Sequence, residues 1–585
     1  MGLRPKTNQM PNDARAPAVT AADRVAPDCA GLDFYAVDRG LRDLLAIYLP
    51  AATRAALEPH FARLGRLAGN RLDELARIAD KHPPALHPRD RFGRDEDWIE
   101  YHPAYREMEA IAFGDFQFHA MSHRAGVLGM DAPLPPVAKY AFQYLFVQAE
   151  FGLMCPISVT DTSIHLIRSF ADDELKAYLL PRMLSGDLSS LWKGTQFITE
   201  KAGGSDVGAI ETVARQDGGV WRLFGEKWFC SHADADVALI LARPEGAPSG
   251  TRGLALFALP RRLRDGGRNA YRIVRLKDKL GTRSMASGEI LLEGAEAWPV
   301  GRLDAGFRQM MEQVNLSRLS HGVRAAAMMR RCVNEAVAAA RGRFAFGQAV
   351  IEFPLMRRQL LKLIVPAEQA LSMAFATADA LGRGAAAELR ILTGLLKLRA
   401  CRDNVGVATG AMEARGGNGY IEDWVNPRLI RDAQVGLLWE GTSNINALDV
   451  IGRAVAKDGA HRTLATLLRG RLEQASSLPA PFLARLGEAV DRSVAAAEHA
   501  TANEVLARSA ATALYNVASA VLLAWEGSRP GADARRMLPA RCVLEHRLMP
   551  RDPLAPGEGA WEAPVGSALL HDRPMTIAEV VPLLV

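Results

Sequence analysis

The sequence has no CxxC pair. Its six cysteines, Cys29, Cys155, Cys230, Cys332, Cys401 and Cys542, are scattered over 585 residues. Neither a zinc site nor a disulfide framework is indicated, and a reducing compartment is expected. There is no GxGxxG turn: the nearest glycine cluster, RGGNGY at 415–420, does not match it. No apolar run approaches the roughly 18 residues of a membrane span. The first residues, MGLRPKTNQMPNDARAPAV, lack the apolar core of a secretory signal. Lys6 stands where N-myristoylation needs Ser or Thr. Repeats and low-complexity blocks are absent beyond Ala enrichment. Charge of one sign is also scarce, with 71 basic against 66 acidic residues and a net charge of +5. Over this length that bias does not name an anionic partner. The expectation is a soluble cytoplasmic protein with no membrane association.

Hydrophobic residues make up 49% and charged residues 23%, which excludes a disordered chain. The length exceeds one ordinary core, so about two to four domains are expected. Residues 1–30 read as a loose tail. From 31 to 191 apolar residues recur at helical spacing, as in LRDLLAIYLP and ATRAALEPHFARLGRLAGNRLDELARIA. KHPPALHPRDRFGRDEDWIEYHPAYREM interrupts them and cannot be one helix. Across 192–300 the segments WRLFGEKWFCS, DVALILAR, GLALFALP, YRIVRLK and GEILLEG are short and apolar or aromatic, and they predict a compact β-domain. Helical spacing returns over 301–454. An additional region, 455–585, is helical in VLARSAATALYNVASAVLLAW and loop-rich after Ser528. Helices, then strands, then helices predict an α+β fold rather than a doubly wound parallel sheet.

Several segments carry chemistry-bearing residues. QFITEKAGGSDVG brings Gln196, Thr199, Ser205 and two glycines, which offer hydroxyls and open backbone to a flat ligand. The plainer reading is a polar loop capping the β-domain. EKWFCSHADAD puts Trp228 and Phe229 beside Cys230 and Ser231; alone it reads as a strand with a buried Trp. RFAFG sets Arg343 next to Phe344, Phe346 and Gly347. Such a guanidinium can hold a pyrophosphate, or simply end a helix at the surface. Gly416, Gly417 and Gly419 allow close backbone approach, or mark a helix-ending turn. LLWEGTSNINALDVIG sets a lone acid, Glu440, after Leu437, Leu438 and Trp439 and before Gly441, Thr442, Ser443 and Asn444.

Together, TEKAGGSD, KWFCS, RFAFG, RGGNGY and WEGTSN resemble the acyl-CoA dehydrogenase family of flavoproteins, in that family's order, over about 160–453. HPPALHPRDRFGRDEDWIEYHPAY, AEFGLMCPISVT and LKDKLGTRSMASGEI resemble its AidB-type, alkylation-response branch. The resemblance implies an N-terminal helical domain, a central β-barrel and a C-terminal helical bundle, here with an extra helical region. It implies non-covalent FAD and Glu440 as the base that takes the α-proton of an acyl-CoA thioester while hydride leaves for flavin N5. Leu437, Leu438 and Trp439 could desolvate that carboxylate and strengthen it as a base. The thioester oxygen is held in this family by the base's own N–H and a ribityl hydroxyl.

Carried over by position, Gln196, Thr199, Ser205, Trp228, Phe229, Ser231, Arg343, Phe346, Gly416, Gly417, Trp439, Thr442 and Asn444 would contact the cofactor. Arg343 would meet the pyrophosphate, and Thr442 and Asn444 the adenosine-phosphate side. Where relatives often have Thr, this chain has Cys230, a weak donor, which leaves Ser231 for the flavin. Glu413 stands where many relatives have Gln, and a carboxylate there would repel a pyrophosphate. Some branched-chain members carry the base on an earlier helix, but VNLSRLSHG offers Ser317 and Arg318 and no acid. The family also implies a homotetramer that shares its FAD sites, and an electron-transfer flavoprotein as acceptor in catabolic relatives.

The branch implies an alternative: a flavoprotein that binds double-stranded DNA in an alkylation response and has weak dehydrogenase activity. A third reading is a non-catalytic acyl-CoA sensor, which retention of Glu440 disfavours. Residues 455–585 hold fourteen basic and fourteen acidic residues, not the basic tail of a phosphate-driven binder. The best basic stretch is 260–283, with nine basic and two acidic residues. Its candidate DNA contacts are Arg261, Arg262, Arg264 and Arg268; the plainer reading is a solvated face.

Overall fold

A computed structural model of the chain describes residues 25–550, 552, 554, 559–571 and 573–585. Most of the tail expected over 1–30 lies outside the described residues. Residues 25–30 are held against the body: Cys29 is fully buried, and Arg415 donates to the carbonyls of Ala26 and Pro27. The N-terminal part is built from α1 (Phe34–Val37), α2 (Arg39–Tyr48), α3 (Ala51–Ala68), α4 (Arg71–Lys81), α5 (Pro103–Glu109), α6 (Pro136–Val147), α7 (Met154–Phe170) and α8 (Asp173–Met183). Asp38 starts α2 by accepting the Leu41 N–H at 2.9 Å, a side-chain cap that satisfies an otherwise orphan donor. The Pro- and Asp-rich excursion becomes an antiparallel hairpin, β1 (Ala85–Arg89) and β2 (Asp95–Glu100).

The middle of the chain supplies β3 (Gly194–Phe197), β4 (Val213–Asp217), β5 (Val220–Ser231), β6 (Val237–Pro244), β7 (Ala255–Pro260), β8 (Tyr271–Leu276) and β9 (Ser287–Pro299). Pairing runs β6–β4–β5–β9–β7 and back to β6, so the sheet closes into a barrel, with β3 added to β6 and β8 to β9. β6 explains its own apolar sequence. Ala238, Ile240 and Ala242 join the barrel interior, while Val237, Leu239 and Leu241 pack outward on Ile164, Ile167, Leu179 and Met310 of the helices. Successive side chains of a strand face opposite ways, so a strand covered on both sides is apolar throughout. β3 and β4 are too short or too polar to stand out in the sequence.

A bundle of long helices follows: α9 (Gly306–Gly342), α10 (Pro354–Gly382) and α11 (Ala386–Arg415). A two-stranded hairpin, β10 (Phe344–Ala345) and β11 (Gln348–Ala349), separates the first two, and α12 (Asn426–Val435) and α13 (Ser443–Asp449) follow the third. Gly322 of α9 faces Leu396 of α11 so closely that a Cβ would lie 2.3 Å from its Cγ. Only glycine permits that crossing. Ion pairs lock the bundle from within. Arg331 pairs with Asp73 and Glu335, Glu335 also with Arg415, and Asp73 also with Arg428, tying α4, α9, α11 and α12 together.

The additional region holds α14 (Ala460–Gln474), α15 (Ala480–Ala500), α16 (Ala507–Gly527), α17 (Met537–Val543), α18 (Glu562–Leu569) and α19 (Ile577–Val580). Its expected loop-rich end after Ser528 is thus broken by short helices, too brief to show periodicity. Arg536 fastens it to α10 through Glu368 at 2.9 Å and is itself held within the region by Glu526 of α16 at 2.8 Å, with Arg536 and Glu526 buried. Two helices, Pro354–Gly382 and Glu504–Gly527, are long and apolar enough by composition to cross a membrane. Most of each is packed inside the molecule, and that burial accounts for their composition.

Candidate active site

Glu440 sits in a turn between α12 and α13. Its φ is +55°, and Gly441 follows at +93°. A left-handed glutamate is uncommon and costs of order 1–3 kcal/mol, so its surroundings must hold it there. They do so through its backbone and its carboxylate. Arg318 Nε donates to the Glu440 carbonyl at 3.2 Å, and Arg318 Nη1 is itself anchored on Asp449 at 2.9 Å. Lys397 Nζ donates to the carbonyls of Gly436 and Gly441 at 2.8 and 2.9 Å. Asn446 Nδ2 adds a bond to the Gly441 carbonyl at 2.7 Å. Among the described residues the Glu440 N–H makes no hydrogen bond.

The carboxylate is held on one oxygen. Gln196 Nε2 and Ser317 Oγ both donate to Oε1, at 3.0 and 2.8 Å. Oε2 is left without such a bond among the described residues. Burial raises the carboxyl above its ordinary range, and the Ser317 hydrogen bond and the charges of Arg318, Lys397 and Arg324 oppose that rise. Ser317→Ala removes the first opposing contribution. A base works only when ionised, so the acid limb of the kcat/KM profile should move to higher pH in this variant. An unmoved limb would show that the bond does not set the carboxyl's proton affinity.

The β-domain supplies the facing wall. Gln196 lies on β3, and its Oε1 is buried with no partner among the described residues. The Thr199 carbonyl accepts from the Trp228 N–H at 2.9 Å, which brings these two together. Ser205 is exposed in the loop beyond Gly203, whose φ is +141°. Cys230 is fully buried, so its thiol belongs to the barrel core. Ser231 is partly exposed, and its carbonyl accepts from Thr195 Oγ1 at 2.6 Å. Regular strand alternation would send Trp228 and Phe229 to opposite faces. The pairing of β5 with β9 is irregular between Lys227 and Cys230, and both rings meet the Lys277 ammonium, at 3.2 and 5.0 Å from their centroids. Lys277 therefore covers part of Trp228, while Phe229 remains 58% exposed.

Arg343, Phe346, Gly416 and Gly417 form a second group, and no hydrogen bond among the described residues joins it to the first. A Cβ on Gly416 would lie 2.8 Å from Arg343 Nη1. The Arg343 side chain is exposed and makes no hydrogen bond or ion pair among the described residues. Phe346 occupies the tip of the β10–β11 hairpin at φ +50° and is 96% exposed. Phe344 and Tyr420 are also largely exposed. Glu413 is exposed and accepts from Gln359 Nε2 at 3.2 Å. Thr442 is the residue before α13, and its hydroxyl does not cap that helix. Asn444 Oδ1 accepts from Arg508 of the additional region at 3.4 Å.

Gly416 has φ +78° and ψ −151°, a conformation open to glycine almost alone. Gly416→Ala should cost about 1–3 kcal/mol locally and lower the cofactor content of the purified protein. Unchanged content, read from the absorbance spectrum, would count against a ligand at this turn.

The basic stretch is partly offset by acids from other segments. Arg268 pairs with the buried Asp97 at 2.7 Å, and Arg264 pairs with Glu174 at 2.9 Å while lying over Tyr178 and Trp298. Arg261 donates to the Asp97 carbonyl, and Arg262 to that of Gly266 at 3.3 Å. Arg272, Arg275 and Lys277 face Glu293 and Glu289. Counting charges along 260–283 missed these acids because they come from other segments.

Sequence reasoning also missed the support of Glu440. Ser317 and Arg318 were noted only as not acidic, and Lys397 and Asn446 carried no signal. Ser317 and Arg318 lie 123 and 122 residues from Glu440 in the chain.

Three family descriptions match the chain in succession. They are the AidB N-terminal domain of adaptive response proteins over 25–188, the acyl-CoA dehydrogenase middle domain over 195–295 and the acyl-CoA dehydrogenase C-terminal domain over 304–456. Acyl-CoA dehydrogenase family member 11 of Caenorhabditis elegans is 33% identical over 438 residues, covering 71% of this chain and 69% of that protein. The AidB protein of Escherichia coli (strain K12) is 35% identical over 394 residues, covering 65% and 70%. The crystal structure of C. elegans ACDH-11 in complex with C11-CoA superposes with a TM-score of 0.81 at 28% identity, covering 92% of this chain and 95% of that one.

Proposed function

The chain belongs to the acyl-CoA dehydrogenase family, in the branch with an AidB-type N-terminal domain, and is an oxidoreductase of that family; on that premise we propose that it dehydrogenates an acyl-CoA thioester between Cα and Cβ, with Glu440 as base and FAD as cofactor. The observation that carries this is the state of the Glu440 carboxylate. One oxygen is held by Gln196 and Ser317, the other makes no hydrogen bond among the described residues, burial raises the carboxyl's proton affinity, and the strained backbone is pinned from behind by Arg318 and Lys397.

Each part has a task. Oε2 takes the α-proton. The unpaired Glu440 N–H donates to the thioester carbonyl, which makes the α-C–H more acidic. Trp439 keeps water from the base: its ring packs with Phe151 at 6.4 Å and His321 at 5.3 Å. The residues present fit a flavin nucleotide. Gln196 Oε1 is a buried acceptor without a donor, Thr199 and Ser231 offer hydroxyls, Trp228 offers an aromatic surface, and Arg343 is an unpaired cation beside a glycine turn. FAD, when bound, supplies the hydride-accepting chemistry.

The exposed Phe344, Phe346 and Tyr420 beside Arg343 support assembly into a homotetramer in which a second copy covers them. An electron-transfer flavoprotein is the proposed acceptor. The relative solved with C11-CoA supports acyl-CoA as the substrate class. The test is anaerobic addition of an acyl-CoA panel to the flavin-loaded protein. Bleaching of the flavin absorbance by at least one thioester is expected. A protein that cannot take up flavin, or whose flavin stays oxidised with every thioester, would refute the reading.

A further inference from the structure

Arg324 is a buried cation whose charge helps hold down the proton affinity of Glu440, but to which the reaction above gives no contact. It lies on α9 seven residues after Ser317, and Ser317, Ser320, His321 and Arg324 share one helix face. Ser317 holds Glu440, and the His321 ring packs on Trp439. Phe151 joins Trp439 to the Arg324 guanidinium, which lies 5.7 Å from the Phe151 centroid. Arg324 is therefore part of the wall that runs on from the base past Trp439.

Its side chain is 1% exposed and makes no ion pair among the described residues. Nε and Nη2 both lean on Ser320 Oγ, at 3.2 and 3.1 Å, and Nη1 is buried with no acceptor among the described residues; the Cys155 thiol and the Glu440 carboxylate act on its charge without forming an ion pair with it. Arg318, Arg331, Arg415 and Arg536 are similarly buried, and each faces a carboxylate. A guanidinium cannot shed its proton, so burying one unpaired is costly. The groups around it are polar as well. Ser158 Oγ lies 2.9 Å from Ser320 Oγ, and Gln143 Nε2 donates to the Ser320 carbonyl at 2.8 Å. An alkyl terminus beside the guanidinium would leave Nη1 unpaired.

We infer that Arg324 is a subsite for a carboxylate at the far end of the substrate's acyl group, so that this chain prefers CoA thioesters of short dicarboxylic acids. The subsite rests on the reading of Glu440 as base, which fixes where Cα lies. Length follows from the helix. The guanidinium folds back to the level of Ser320, about 4.5 Å along α9 from Ser317 at about 1.5 Å per residue, which suits an acyl group of about four to six carbons.

The test uses CoA thioethers, which lack the carbonyl and have no acidic α-proton, so binding is read without turnover. S-(ω-carboxyalkyl)-CoA and S-alkyl-CoA ligands of matched length are titrated into the flavin-loaded protein by calorimetry. The carboxylated ligand should bind roughly tenfold tighter or more. Arg324→Met should reverse the preference, and Arg324→Lys should keep part of it. Equal binding in the wild-type protein, tighter binding of the alkyl ligand, or a preference that survives Arg324→Met would overturn the subsite. The wild-type comparison decides even if Arg324→Met does not fold. A carboxylate preference in a protein that no acyl-CoA bleaches would reject dehydrogenation and keep the subsite. Bleaching without the preference would reject the subsite alone.

Discussion

Glu440→Gln should take up flavin and bind acyl-CoA, yet lose flavin reduction by roughly 10²–10⁴-fold. The amide has nearly the shape of the carboxylate, so Ser317 can still donate to its oxygen and Arg318 and Lys397 still hold the backbone turn. What is removed is the ability to accept a proton at Oε2. No other carboxylate hydrogen-bonds the residues that hold Glu440's side chain among those described, so none is placed to substitute. The measurement is anaerobic stopped-flow absorbance with one thioester that bleaches the wild-type protein. A spectral shift on binding with no loss of the oxidised flavin band is the expected record. Reduction at the wild-type rate would mean that another group carries the proton.

Glu335→Leu should be the most damaging change outside the site, with a loss of about 3–5 kcal/mol in stability. Glu335 is fully buried between Arg331 at 2.9 Å and Arg415. Removing it leaves Arg331 sharing Asp73 with Arg428 and leaves Arg415 with no carboxylate. Arg415 immediately precedes the Gly416 turn, so cofactor retention should fall as well. The urea midpoint of unfolding measures the effect. The exposed pair Arg469–Asp491 is the control, since Asp491→Asn should cost under ~1 kcal/mol. Equal midpoints for the two variants would show that the buried network contributes little.

The coarse fold was legible because its signals are local. Helical spacing predicted the flanking domains, and the short apolar segments predicted the strands. Barrel closure was legible only through the family resemblance and not in the strand pattern itself, because β6 pairs with β3, β4 and β7 from three parts of the chain. At the site, WEGTSN marked the acid and its neighbours. The residues that make Glu440 usable, Ser317, Arg318 and Lys397, come from α9 and α11 and look like ordinary helix residues. The basic stretch is partly offset for the same reason: Asp97, Glu174 and Glu289, which pair with Arg268, Arg264, Arg275 and Lys277, lie in other segments. Arg324 in the sequence is one more arginine on a helix, and only its burial without a carboxylate sets it apart.

The central claim is that Glu440 removes the α-proton in the step that reduces the flavin. Its most direct test is a single anaerobic turnover of the wild-type protein with an acyl-CoA deuterated at Cα, compared with the undeuterated thioester. The account predicts that flavin bleaching slows several-fold with deuterium at Cα and that bleaching in Glu440→Gln is slower by roughly 10²–10⁴-fold. Identical rates for the two thioesters, or bleaching at the wild-type rate in Glu440→Gln, would contradict it.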